Sequence, residues 1–238
     1  MDVSVSYYTS VGGRSNNEDA MILAEGGNGL LAIVADGLGG ENSGEIASQI
    51  AVHQLSNNVL IAEVNENVMK TAVENANQNI RRKQLEMDSK MKTTIAALWF
   101  NNERAIVAHV GDTRIYQFRK SKIVYQSIDH SVSQMAVMVG EITQDELRGH
   151  IDRNRLLRAL GASEKVKPDV RSLSLLPGDA FLVCTDGFWE LILEDEMLED
   201  LENSSIANQW LANMRKRIEN RISTKGDNHT AVAIIINC

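Results

Sequence analysis

The sequence predicts an α+β fold in which helices cover layered, mainly antiparallel sheets. Short apolar runs rich in β-branched residues, which are typical of buried strands, recur along the 238-residue chain. Several are separated only by short polar breaks, such as Asn101-Asn102 and Lys120-Ser121, which favour tight antiparallel connections. The helical stretches fall between groups of strands. Because they do not alternate with single strands, a parallel doubly wound sheet fits the pattern poorly.

The first part of the chain predicts three strands and then two helices. The strands cover residues 3–11, 19–24 and 29–36. The first helix is expected to begin near Ser43, and the second to cover residues 62–86. Apolar residues recur at helical spacing along the second helix, so they share one face that packs against the core. These residues are Val64, Val68, Ala72, Ala76 and Ile80.

The rest of the chain predicts a second group of strands, a polar helical segment and a mixed final region. The second group of strands covers residues 93–101, 104–110, 114–119 and 122–127. Residues 131–160 are expected to be helical, with Thr143 capping the helix that starts at Gln144. Strands at 170–176 and 179–185, helices at 194–202 and 206–222, and a last strand at 229–237 complete the prediction.

The composition predicts a globular cytoplasmic protein with one domain, residues 1–238, and a monomer as the default state. A net charge of −8 argues against a nucleic-acid backbone as the main ligand. No apolar run is long enough for a membrane helix, and the N-terminal residues lack the pattern of a signal peptide. Two cysteines, Cys184 and Cys238, give no disulfide framework and fit a reducing cytosol.

Three aspartates follow apolar strands, and this placement is the most informative feature of the chain. Asp36 and Asp186 each end an apolar strand and precede a glycine, and Asp112 follows a third strand through Gly111. A carboxylate at the mouth of a buried strand is costly unless it is paired or holds a metal. Converging strand ends of this kind would form a site for a hard cation with oxygen ligands.

Further acidic residues and an arginine extend this pattern. Glu18 and Asp19 follow Arg14 closely, and Asp227 precedes the last predicted strand. Each acidic residue taken alone is more often a turn residue. Taken together they favour two divalent ions bridged by a shared carboxylate, which is a recurrent device for hydrolysis of phosphate esters. Arg14 is the best candidate for gripping the phosphate.

Nine segments, in order from residue 13 to residue 230, resemble the metal-dependent protein phosphatase (PPM, type 2C) family in its bacterial form. One such segment would be weak evidence, but nine in order along the chain are highly specific. They are Gly13–Asp19, Asp36–Gly40, Gly44–Ser48, Thr93-Thr94, Gly111–Tyr116, Asp129–Ser131, Arg158–Gly161, Pro177–Asp179 with Thr185–Gly187, and Asp227–Thr230.

The resemblance implies a four-layer α-β-β-α sandwich that binds Mn²⁺ or Mg²⁺ and hydrolyses phosphoserine and phosphothreonine in proteins. By motif match, Asp36 bridges two metal ions and Gly37 offers its carbonyl. Asp186 and Asp227 complete the shell of the first ion, and Glu18 contributes through water. The implied partners are phosphorylated proteins, together with an opposing serine/threonine kinase.

The resemblance also assigns a third ion and the phosphate site. Asp112 matches a carboxylate that, with Asp186, holds a third metal in bacterial members. Arg14 matches the arginine that binds phosphate, so Arg14, Asp36 and Asp186 are the expected catalytic residues. Asp19 is expected to orient the ligands rather than to bind metal.

The chain departs from the family at a few positions. Leu38 stands where eukaryotic members carry a histidine proposed as general acid, so the identity of that acid stays open, with His130 as one candidate. Lys92 replaces a common glycine before Thr93-Thr94.

Two rival functions compete with the phosphatase interpretation. A haloacid-dehalogenase chemistry is poor because the chain has no Asp-x-Asp. A metal-binding regulatory module of the same fold, which recognises a phosphoprotein without hydrolysis, is the remaining alternative.

Overall fold

The computed structural model describes residues 2–26, 28–39, 43–224 and 226–237. Its strands, in chain order, are β1 (Val3–Ser10), β2 (Ala20–Gly26), β3 (Gly29–Ala35), β4 (Gly37–Leu38), β5 (Lys92–Thr93), β6 (Ile95–Phe100), β7 (Arg104–Val110), β8 (Arg114–Phe118), β9 (Ile123–Gln126), β10 (Asp169–Ser174), β11 (Ala180–Cys184) and β12 (His229–Ile236). Its helices are α1 (Ser43–Val59), α2 (Glu66–Met87), α3 (Val132–Met138), α4 (Asp186–Trp189), α5 (Glu194–Glu202) and α6 (Ala207–Arg221).

Within the described residues, the strands form two five-stranded sheets and one short pair. The first sheet has the order β1-β12-β11-β8-β9, and the second has the order β10-β7-β6-β3-β2. Strands β4 and β5 pair with each other. Every pairing between neighbouring strands is antiparallel. The prediction of mainly antiparallel sheets is therefore confirmed.

The two sheets face each other across a shared core, and helices cover their outer faces. Helices α1 and α2 pack on the second sheet, while α5 and α6 cover the first. Strand β11 shows why both faces of the central strands are apolar. Its Phe181 and Val183 point into the core between the sheets, and its Leu182 and Cys184 pack toward the helices. The four-layer α-β-β-α architecture is confirmed.

Helix α2 begins later than predicted. Its first residue is Glu66, because the side chain of Asn65 caps the helix by accepting a hydrogen bond from the backbone N–H of Val68 (3.0 Å). Val64 therefore lies before the helix, although it is buried. The buried face includes Met69 and Val73 beside the predicted alanines. The predicted face is therefore correct, but it is wider than predicted on the side of Met69 and Val73.

Two short elements near the strand ends were missed. The predicted strand 93–101 is divided at Thr94 into β5 and β6, and β5 pairs with the two-residue strand Gly37–Leu38. Asp186 was predicted to end a strand, but it opens the single turn of helix α4. Elements of two to four residues carry too few side chains to show a period, so pattern analysis does not detect them.

The segment 131–160, which we call the flap segment, is largely irregular, so the prediction of an extended helix was wrong. Helix α3 covers only Val132–Met138, and a single 3₁₀ turn follows at Leu147–Gly149. The carboxylate of Glu146 accepts hydrogen bonds from the N–H and hydroxyl of Thr143, as in a capping box. The turn does not propagate, because no apolar stripe follows to pack against the core.

Some expectations fall on residues outside the described part of the chain. Gly40, Glu41 and Asn42, in the middle of the glycine-rich stretch, belong to this group, as does Cys238. In the described residues, none of the helices combines the length and apolarity needed to cross a membrane. The thiol of Cys184 is buried and forms no disulfide.

Candidate active site

All seven residues predicted from the motifs line one cavity of about 460 Å³. The cavity lies at the end of the sandwich where β3, β7 and β11 finish and where β2 and β12 begin. The predicted residues on its wall are Arg14, Glu18, Asp36, Gly37, Asp112, Asp186 and Asp227. The sequence therefore identified a set of residues that the fold brings together from both sheets.

The backbone of Asp36 is held on both sides by the Thr93-Thr94 pair. The hydroxyl of Thr94 accepts a hydrogen bond from the N–H of Asp36 (2.9 Å), and the N–H of Thr94 donates to the carbonyl of Asp36 (2.9 Å). The hydroxyl of Thr93 donates to the same carbonyl (2.7 Å). With its backbone fixed in this way, Asp36 is held at the wall of the cavity.

Gly37 must be glycine because other backbone segments crowd it. A Cβ atom at this position would lie 2.2 Å from the carbonyl oxygen of Gly44 and 2.6 Å from that of Glu18. The N–H of Gly37 donates to the Glu18 carbonyl (3.1 Å), which joins β4 to the loop before β2. The close approach brings the start of helix α1 and the Glu18 loop against the metal-ligand candidates.

The side chain of Asn228 organises the loop that carries Glu18. Its amide nitrogen donates to the carbonyls of Val11 (2.8 Å) and Asn16 (2.9 Å), and its oxygen accepts from the N–H of Glu18 (2.8 Å). All of these bonds join the two ends of the chain. No role was predicted for Asn228, and its only signal in the sequence was its position beside Asp227 inside a family segment.

Arg14 and Asp227 form an ion pair at the mouth of the cavity. Nη2 of Arg14 lies 2.8 Å from Oδ2 of Asp227, and both side chains are about half exposed. Asp227 also accepts a hydrogen bond from the N–H of Asn228 through Oδ1 (2.9 Å). The guanidinium therefore lies at the rim of the carboxylate group, where it can meet an anionic ligand entering from solvent.

The carboxylates of the cavity destabilise one another's charged forms. Burial raises the pKa of Asp36 well above its ordinary range, and the charges of Asp186, Asp19 and Asp112 raise it further. The pKa of Asp186 is also raised well above its usual value, first by burial and then by Asp112. Burial, followed by the charge of Asp129, raises the pKa of Asp112 to about 7. Protons or cations are needed to neutralise this group.

Two carboxylate oxygens next to the cavity have no hydrogen-bond donor in the described residues. They are Oδ1 of Asp19 and Oδ1 of Asp112, and both side chains are buried. Asp19 is held through its other oxygen, which accepts from the hydroxyl of Thr185 (3.0 Å). Unpaired buried carboxylate oxygens beside a water-accessible cavity fit hard divalent cations, which prefer oxygen ligands.

The flap segment contributes two residues to the cavity wall that the sequence did not identify. Asn154 and Leu156 line the cavity together with the carboxylates. On one side of Asn154, Nε of Arg153 pairs with Oε1 of Glu190 (3.0 Å). On the other side, the carbonyl of Arg155 accepts from the N–H of Val132 (2.8 Å). The polar sequence of this segment gave no signal for these contacts.

A second group of potential metal ligands lies outside the cavity. His109, His130 and Asp169 each place one ligand-type atom within 4.8 Å of the others. The two imidazole rings are stacked, with 8° between their planes and 4.7 Å between their centres. An imidazole binds a metal close to the plane of its ring, and two stacked rings with nearly parallel planes do not direct their nitrogens at one point. This group is therefore not arranged for a metal ion, and the cavity is the better site.

Comparisons with known proteins agree with the geometry of the cavity. The protein phosphatase 2C family profile (PP2C_2) matches residues 11–228. Serine/threonine phosphatase stp of Listeria monocytogenes is 33% identical over 199 residues, which cover 80% of this chain and 79% of that protein.

Solved structures give the same result. The serine/threonine phosphatase of S. agalactiae superposes with a TM-score of 0.88 at 27% identity and covers 100% of both chains. The catalytic domain of serine threonine protein phosphatase PstP, in complex with two manganese ions, gives a TM-score of 0.83 at 26% identity, over 99% of this chain and 100% of that one.

Proposed function

Since this chain belongs to the protein phosphatase 2C family, we propose that it is a metal-dependent serine/threonine phosphatase that acts on phosphoserine and phosphothreonine in proteins. One observation carries the proposal at the level of residues. All seven residues expected from the motifs line the same cavity, and bound cations would neutralise the mutual repulsion of its carboxylates. The site roles given below are part of the proposal.

The donor set of the cavity fits Mn²⁺ or Mg²⁺, and PstP was crystallised with two manganese ions. We assign Asp36 as the bridging ligand, with the carbonyl of Gly37 and the side chains of Asp186, Asp227 and Glu18 around it. When bound, the cations supply Lewis acidity, which makes a water molecule nucleophilic and neutralises phosphate charge.

A third cation is assigned to the pair formed by Asp112 and Asp186. Support comes from the raised pKa of both carboxyl groups and from the unpaired Oδ1 of Asp112. Because each of these carboxylates raises the pKa of its neighbours, their ionised forms are stabilised by a cation between them.

Arg14 binds the phosphate of the substrate in this proposal. Its guanidinium at the cavity rim can donate two parallel hydrogen bonds to phosphate oxygens, whereas an ammonium group lacks that fork. The Asp227 carboxylate holds the guanidinium in place from the other side. Arg14 thereby orients the phosphate toward the cation site that the carboxylates of the cavity form.

The flap segment positions the peptide that carries the phosphate. Asn154 and Leu156 face the cavity, so they lie where residues next to the phosphorylated side chain must pass. The anchoring of Arg153 and Arg155 on either side fixes this part of the backbone. Since a prepositioned wall loses little entropy on binding, these two residues are suited to select substrates.

The remaining proposals concern the setting of the enzyme. We propose that residues 1–238 form one catalytic domain, because a shared core joins the two sheets and β1 pairs with β12. We also propose a monomer that works in the cytoplasm against a serine/threonine kinase. The unpaired buried thiol of Cys184 supports a reducing compartment.

Hydrolysis assays on the purified chain test the proposal. Wild type should release phosphate from p-nitrophenyl phosphate and from a phosphothreonine peptide with Mn²⁺ or Mg²⁺, and should stop when EDTA is added. Asp36→Asn should lose at least a hundredfold in kcat, because it disturbs the bridging ligand. Asp88→Asn, which changes an exposed aspartate just past the end of α2, is the matched control.

Two outcomes would contradict the proposal. Full activity in EDTA would exclude the metal site. Tight binding of the phosphopeptide without turnover, at every metal concentration, would identify the chain as the regulatory module instead.

A further inference from the structure

His130 holds Gly111, the residue that precedes Asp112, through hydrogen bonds to both its N–H and its carbonyl. The N–H of Gly111 donates to Nδ1 of His130 (3.1 Å), and the N–H of His130 donates to the carbonyl of Gly111 (2.9 Å). Both residues are buried, so water does not compete for these bonds. Gly111 has φ +105, a conformation that side chains other than glycine rarely adopt, and the two bonds fix it.

The ring of His130 is itself fixed on every side. Because Nδ1 accepts from Gly111, the hydrogen of the neutral ring is on Nε2, which lies 3.3 Å from Oδ2 of Asp169. Nη1 of Arg158 lies 3.1 Å from the same Nε2 and donates to Oδ1 of Asp169 (3.2 Å), and the ring of His109 stacks on that of His130. Burial, with the adjacent His109, lowers the pKa of His130 to about 4, so the ring stays neutral at physiological pH.

The other side of Asp112 is held by helix α4. The indole N–H of Trp189 donates to the carbonyl of Asp112 (2.9 Å). The backbone around Asp112 is therefore fixed before and after the residue, whereas Oδ1 of its side chain has no hydrogen-bond partner among the residues that the structure describes. This arrangement presents the carboxylate to the cavity by backbone contacts alone.

From these contacts we infer that His130 is a positioning residue for Asp112, which acts through the Gly111 peptide, and that it is not the proton donor of the reaction. The inference rests on the proposed function, because it assigns a cation to Asp112. Both ring nitrogens of His130 have partners outside the cavity, and the residue is not part of the cavity wall. It is therefore poorly placed to protonate a leaving group, and well placed to set the geometry of a metal ligand.

Two substitutions at position 130 distinguish the contact of Nδ1 with Gly111 from the contact of Nε2 with Asp169. In His130→Asn, the amide oxygen can take the place of Nδ1 and still accept from Gly111. In His130→Gln, the longer amide reaches toward Asp169 but leaves Gly111 without its acceptor. Titration calorimetry with Mn²⁺ should show wild-type affinities, within about threefold, for His130→Asn. In His130→Gln, one ion should bind about 10- to 100-fold more weakly while the other ions are unchanged.

Controls make the readout specific. His53→Asn and His53→Gln change an exposed histidine on α1 and should bind Mn²⁺ like wild type. Asp169→Ala removes the partner of Nε2 but leaves the Gly111 bonds, so its Mn²⁺ affinities should stay within about threefold. If His130→Gln does not fold, Trp189→Phe provides a second test, because it removes the other hydrogen bond that fixes the backbone at Asp112. This variant must weaken the binding of the same Mn²⁺ ion.

The inference is overturned by any of three results. The first is unchanged Mn²⁺ binding in both His130→Gln and Trp189→Phe. The second is weak binding in His130→Asn with normal binding in His130→Gln, which would give the role to the Asp169 contact. The third is normal Mn²⁺ binding in both position-130 variants, combined with a selective loss of activity: turnover of the phosphothreonine peptide is lost, and turnover of p-nitrophenyl phosphate is kept. That result would make His130 the proton donor. A wild type that is inactive with Mn²⁺ refutes the proposed function, and the inference falls with it.

Discussion

The carboxylate group should make the metal-free protein less stable at high pH, and Asp112→Asn should relieve that cost. In the folded protein the pKa of Asp112 is raised to about 7, from an ordinary value of 3.8 in the unfolded chain. Between these values the folded state binds more protons than the unfolded state. The free energy of unfolding therefore falls as pH rises through this window, and it stays low above it.

The size of the effect follows from the difference in pKa. The pKa of Asp112 differs by about 3 units between the folded and unfolded states (7 against 3.8), and each unit corresponds to about 1.4 kcal/mol. The ionised carboxylate therefore lowers the free energy of unfolding by about 4 kcal/mol at most. Neighbouring carboxyl groups share protons with Asp112, which reduces the effect of a single substitution to about 2–4 kcal/mol. For a chain of this length, that corresponds to a rise in Tm of about 5–15 °C.

Urea unfolding in EDTA, followed by the fluorescence of the buried tryptophans, measures this effect. The free energy of unfolding of Asp112→Asn should exceed that of wild type by about 2–4 kcal/mol at pH 8 and by about 1–2 kcal/mol at pH 5. Asp88→Asn removes the same charge at an exposed position and should change little at either pH. With saturating Mn²⁺ the order should reverse, because wild type binds an ion that the variant has lost.

The reasoning would be refuted by a variant that is no more stable than wild type at pH 8 in EDTA. It would also be refuted by a gain that is the same at pH 5 and pH 8. Either result would mean that Asp112 is paired in the metal-free protein, contrary to its unpartnered Oδ1.

Two further predictions concern substrate binding. Arg14→Ala should lower kcat/KM by about 10- to 100-fold. Arg14→Lys should recover only part of the loss, because an ammonium group cannot donate the two parallel hydrogen bonds of a guanidinium. Equal activity of Arg14→Ala and wild type would place the phosphate site elsewhere. Asn154→Ala should raise KM for a phosphothreonine peptide by about 3- to 10-fold and leave p-nitrophenyl phosphate turnover unchanged, since only the peptide reaches the flap segment. Asn102→Ala is the control, and an equal effect of Asn154→Ala on both substrates would contradict a role in peptide selection.

The layered fold was predictable because its signal is repeated over many residues. Strand β6, for example, is apolar along its whole length, and its residues alternate between two cores. That pattern requires a layer on each face of the strand, and the prediction follows from it. The flap segment has no such repetition. Its backbone is held by single side chains, such as Arg148, which donates to the carbonyl of Ile192 and pairs with Glu194.

The membership of the cavity was predictable, but the contacts that organise it were not. Asp36 and Asp186 stand out because a carboxylate at the end of a buried strand is energetically costly unless it is paired or binds a metal. Asn228 and Trp189 act on the same cavity through hydrogen bonds to backbone groups of distant residues. Such bonds depend on tertiary contacts, and nothing in the local sequence of an asparagine or tryptophan specifies them.

The pairing of β1 with β12 has a consequence for how the protein is made. Arg14 and Asp227, which meet at the cavity rim, are 213 residues apart in the chain. At a synthesis rate of about 5–20 residues per second, roughly 10–40 s separate the appearance of the two residues on the ribosome. Throughout that interval the nascent polypeptide lacks one wall of the cavity. An interrupted translation product that stops before β12 should therefore carry no phosphatase activity.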